Sequence, residues 1–81
     1  MDWSNYSDVE MVPDKVSGAP VLKGTRLPVE AIVGNYDAFL DEGLSADEAL
    51  AETTECYPEI GIDRIRAALS WRAAHDLQPQ P

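Results

Sequence analysis

From Val29 onward the apolar residues Val29, Ile32, Val33, Tyr36, Phe39 and Leu40 recur at steps of three and four. This spacing draws one stripe along an α-helix. Glu30, Asp37 and Asp41 fall on the opposite side, and Gly43 stands where a left-handed residue would stop the helix. Pro28 suits the first helical position, where a missing N–H costs nothing. The pattern predicts a helix over about 28–42.

A second helix is predicted over 45–54, because Ser45 and Glu48 have the spacing of a capping box. Ala49 and Leu50 are its inward contacts, Thr53 and Thr54 weaken its end, and Tyr57-Pro58 forces an extended backbone or turn. After Gly61 a third helix is predicted over 62–75, with Ile62, Ile65, Leu69 and Ala73 on its inner face and Ala68 on its flank. The Gln-Pro-Gln-Pro ending over 77–81 cannot continue a helix and is expected to be disordered.

Upstream, Val9–Val12 reads as a short edge strand beside Pro13, Asp14–Gly18 as a turn, and Val21-Leu22 as a second strand ended by Gly24. Residues 1–8 read as a flexible arm, despite the large rings of Trp3 and Tyr6. The expected fold is mostly α. A short N-terminal β-strand pair within 9–27 precedes a three-helix helix-turn-helix bundle, all in one domain over 9–76.

At 81 residues the chain buries little surface alone, so a homodimer is expected. Trp71 falls opposite Ile62 and Leu69 on the third helix. Either that helix is buried on two sides within one chain or the indole belongs to an interface, and the small core favours the interface. Exchange of the strand pair through Val21 and Leu22 is a second dimer geometry.

Charge changes the picture through its placement. Residues 28–59 hold nine acids and no Lys or Arg, whereas 1–27 sum to −1 and 60–81 to +1. Such a block repels phosphate and attracts a basic protein, so Glu30, Asp37 and Asp41 are candidates for a partner interface. A solvated acidic face is the plainer explanation of the same residues.

Catalytic chemistry finds little support. Cys56 and His75 are single residues nineteen positions apart, with no nucleophile pair, metal-ligand spacing or Gly-rich phosphate loop. The chain reads as a non-enzyme without a cofactor. One cysteine, no leader and no apolar run long enough to span a bilayer fit a cytoplasmic protein without membrane contact.

The segment GAPVLKGTRLPVEAI, followed by GLSADEAL, YPEI and IRAALSW, resembles the domain-of-unknown-function 433 family over roughly residues 9–75. The resemblance implies a small bacterial helix-turn-helix protein, an antitoxin of a VapBC-like toxin–antitoxin system. Such an antitoxin would bind operator DNA and neutralise a PIN-like nuclease toxin, acting in transcription regulation.

Helical geometry turns Arg64 toward the outer half of the third helix, as a candidate for phosphate or base-edge contact, with Arg66 nearer the core edge as a backbone contact. The plain alternative is that both arginines solvate the helix and pair with Glu59 or Asp63. Lys23 and Arg26 flank a turn beside a helix N-terminus, where free N–H groups could hold an anion. Alternatively Thr25 satisfies that corner while Arg26 pairs with Glu30 or with an acid of a partner chain. Two function classes therefore stand: a DNA-binding antitoxin, and an acidic protein–protein interaction or assembly module without DNA affinity.

Overall fold

The computed structural model describes residues 3–11 and 19–76. Residues 1–2, the Val12 end of the expected first strand, the Asp14–Gly18 turn and the 77–81 tail lie outside the described residues. A two-stranded antiparallel sheet is followed by three helices. Strand β1 (Val9–Glu10) pairs with β2 (Val21–Leu22) in the register Val9 to Leu22 and Glu10 to Val21.

The stretch after β2 explains how the sheet passes into the helices. Thr25 Oγ1 donates to Leu22 O at 2.8 Å and accepts from Leu27 N–H at 3.1 Å, closing the corner. Leu22 N–H then donates to Leu27 O and Val29 N–H to Pro20 O, so Pro28 bridges Val21 on the side of β2 away from β1. Pro28 sits between those two hydrogen bonds, where an antiparallel pair asks for no N–H. It was expected as the first helical residue. It is instead extended (φ −62°, ψ 131°), and helix α1 runs Val29–Asp41.

Val29, Ile32 and Val33 of the α1 stripe are buried, Tyr36 and Phe39 are half-buried, and Leu40 is exposed. The helix ends at Gly43, whose φ of 102° is open to glycine at little cost. Gly43 N–H donates to Leu40 O and Leu44 N–H to Phe39 O, the paired bonds of a Schellman motif.

Helix α2 (Ala46–Cys56) opens with the predicted capping box, both reciprocal bonds of Ser45 and Glu48 being present. It runs past the predicted end at 54. Thr53 and Thr54 donate their hydroxyls to Ala49 O and Leu50 O one turn earlier, which satisfies both within the helix. Tyr57-Pro58 ends the helix, and Ile60 plugs the turn into the core before Gly61, at φ 87°, redirects the chain.

Helix α3 (Ile62–Asp76) is where packing departs from the periodicity. Ile65 and Ala68 are buried, with Arg64, Leu69, Trp71 and Arg72 half-buried, while Ile62 and Ala73 are exposed. At 100° per residue, the inward face is rotated by about a quarter turn from the one expected. The cause is a second layer of core. Trp3, only 2 % exposed, and Tyr6 cover the Ala68–Trp71 side of the helix, so residues 3–8 belong to the packed domain and are not the flexible arm expected.

Candidate functional site

Rotation of α3 decides where the predicted site residues fall. Arg64, expected to face outward, turns toward the N-terminal segment: its Nε and Nη2 donate to the two carboxylate oxygens of Asp8 at 2.9 and 3.0 Å. Nη2 also donates to Lys23 O at 2.9 Å. The Asp8 hydrogen bond raises the Arg64 pKa above its already high value, against a smaller opposing effect of burial. Arg64 is thus held between β1 and the corner after β2. Neither Glu59 nor Asp63 is its partner.

Arg66 remains exposed on the opposite side of α3, within 3.7 Å of Asp63 one turn away. This pair is weak by exposure and distance. The outer surface of α3 otherwise carries Ile62, Asp63, Ala67, Ser70, Ala73 and Ala74. It holds one base and one acid.

Lys23 and Arg26 are exposed on the corner, and Arg26 forms no ion pair with Glu30 among the described residues. The anion site expected there is largely filled by the protein itself. Gly24 N–H donates to the Glu10 carboxylate at 3.0 Å, Thr25 N–H to Leu22 O, and Leu27 N–H to Thr25 Oγ1. The plainer reading of Thr25 holds.

Trp71 finds its cover within the chain. Its ring lies 5.0 Å from Trp3, 5.2 Å from Tyr6 and 4.0 Å from His75, centroid to centroid. The segment over 3–8 supplies a wall for the indole within the chain, and the ring stays half-buried. Val21 and Leu22, expected to take part in a strand exchange between chains, are both 0 % exposed within the single chain. Packing in this cluster raises the Tyr6 pKa, first by burial and then through the nearby Asp8 charge, with Arg64 acting in the opposite sense.

The acidic block lies outside. Glu30, Asp37, Asp41, Glu42, Asp47, Glu48, Glu52, Glu55 and Glu59 are all exposed. Asp37 forms a bidentate pair with Arg72 at 2.8 and 2.9 Å, fastening α1 to α3. Glu48 is engaged with Ser45, whose backbone N–H and hydroxyl lower its pKa. The other acids of the block form no ion pair among the described residues.

Sequence reading missed Asp8, Trp3 and Tyr6 as organisers of this region. One signal was present: Trp71 and Ala68 gave α3 a second apolar side, and two large rings, Trp3 and Tyr6, stood ahead of β1. Among the described residues no group of His, Cys, Asp and Glu could hold a metal ion. No described helix is long and apolar enough to cross a membrane.

Comparison with known proteins places residues 9–71 on the family model described as Protein of unknown function (DUF433). No curated protein and no solved structure matches the chain. The match spans both strands, α1, α2 and α3 as far as Trp71, and leaves the Trp3–Asp8 segment ahead of it. Over the greater part of its length, the chain belongs to the DUF433 family.

Proposed function

We propose that the chain is an antitoxin-like regulator whose main working surface is the acidic face of α1 and α2, directed at a basic nuclease of the PIN-like kind. One observation carries this reading: the acids Glu30, Asp41, Glu42, Asp47, Glu52, Glu55 and Glu59 are all exposed and lack ion pairs among the described residues. A nuclease that grips an RNA backbone needs a positive cleft, and an unneutralised acidic face is complementary to it. Docking would cover that cleft and repel its substrate.

The test is co-expression with a basic nuclease encoded beside the chain, followed by co-purification and an RNA-cleavage assay. Asp41→Lys, Glu52→Lys and Glu55→Lys together should abolish the complex and restore cleavage while leaving helix content unchanged. A complex that survives all three reversals would rule out this face.

A second reading is favoured by a specific observation: α3 follows α2 through the five-residue turn Tyr57–Gly61 and keeps Arg66 exposed, while Lys23 and Arg26 are exposed at the corner beside Arg64. In this reading α3 and the corner contact operator DNA as a homodimer, the duplication of bases making up for a thin positive surface. Both functions fit a cytoplasmic antitoxin that regulates its own transcription.

A further inference from the structure

The Asp8–Arg64 contact has the form of an arginine on a phosphate. Two parallel N–H groups meet two oxygens of one anion at 2.9 and 3.0 Å, the fork geometry arginine uses on carboxylates and phosphates alike. Two further basic residues stand beside it, together with the acid Glu10. Lys23 lies against Arg64 through its carbonyl oxygen, and Arg26 is exposed on the same corner. Glu10, two residues after Asp8, accepts from Gly24 N–H at 3.0 Å. Two carboxylates of one short segment therefore occupy an arginine fork and a turn amide, the two kinds of donor a nucleic-acid backbone would seek.

The ion pair is open to exchange, because the side chains of Arg64 and Asp8 are 33 % and 31 % exposed. The segment that carries Asp8 is held independently. Trp3 is 2 % exposed and packs on Trp71, and Asp8 O accepts from Lys23 N–H at 2.9 Å, so the backbone that carries the carboxylate is anchored whether or not Arg64 is bound to it. We propose that Asp8 is a built-in competitor for the DNA backbone: Arg64 exchanges the Asp8 carboxylate for a phosphate, and the free chain's affinity for DNA is held down by its own N-terminal segment. This rests on the DNA-binding reading above. The exchange breaks two hydrogen bonds and makes two, so the net gain from Arg64 is small while the Asp8 charge remains to repel the phosphate.

The experiment is fluorescence anisotropy of a labelled duplex taken from upstream of the chain's own coding sequence, titrated with the full chain across a salt series. Asp8→Asn should tighten binding about five-fold and steepen the dependence of affinity on salt by about one ion. Arg64→Ala in the Asp8→Asn background should remove both effects. If the wild-type chain binds the duplex and Asp8→Asn changes neither affinity nor slope, the competitor is overturned and the DNA reading stands. Absence of binding by wild type and Asp8→Asn alike at low salt would overturn both. Should Asp8→Asn fail to fold, the Arg64 Nε–H resonance of the wild-type chain decides. It is expected to shift on addition of duplex, and its staying fixed while other resonances report binding would overturn the proposal.

Discussion

Trp3 and Trp71 stack with their ring centroids 5.0 Å apart, joining the segment ahead of β1 to the last helix. Trp3 is the more deeply buried of the two, and its loss would leave a cavity against Tyr6, Trp71 and Ala68. Trp3→Ala should cost about 3–5 kcal/mol, read as a drop in the urea midpoint. Deleting the residues ahead of Val9 should do at least as much harm, although the family match begins only there.

Tyr6 makes stability fall at high pH. Burial and Asp8 raise its pKa above 10.0, so the folded chain keeps a proton that the unfolded chain gives up. That contribution is fully present below the unfolded value and is lost as pH rises through the folded one. Urea midpoints measured across the alkaline range should decline for wild type and decline less for Tyr6→Phe.

Acid acts on the start of α2. Hydrogen bonds from Ser45 hold the Glu48 pKa below 4.5, so the capping box stabilises the chain above that value and is lost as pH falls through the lowered one. Ser45→Ala should cost about 1 kcal/mol at neutral pH. Circular dichroism during an acid titration should show Glu48→Gln with a weaker pH dependence than wild type.

Asp37 and Arg72 bind α1 to α3 with their side chains 50 % and 22 % exposed. A double-mutant cycle with Asp37→Ala and Arg72→Ala should give a coupling energy of about 0.5–1 kcal/mol, shrinking as salt is added. Coupling that ignores salt would mean that the two side chains act through packing.

The parts of this fold legible in the sequence are the local ones. The α1 stripe, the Ser45–Glu48 capping box and the Gly43 stop each arise within a few residues, where spacing and backbone geometry are enough. The face of α3 was not legible. Periodicity gave it a rotation set by Ile62 and Leu69, but Asp8 meets Arg64 from 56 positions away and Trp3 meets Trp71 from farther still. Those distant partners turn the helix and leave Ile62 at the surface. The same contacts explain why Arg64, placed outward by periodicity, lies against Asp8 and Lys23 instead.

The proposed function requires that the acidic face of α1 and α2 meet a basic partner while the outer side of α3 does not. The direct measurement is a ¹⁵N-correlated NMR titration of the chain with the basic nuclease encoded beside it. Shifts are expected to concentrate at amides of the exposed acids between Glu30 and Glu59, above all Asp41, Glu52 and Glu55, while Arg66 and Ser70 stay fixed. Shifts confined to Arg66, Ser70 and their neighbours on α3, with the acidic amides unmoved, would contradict it.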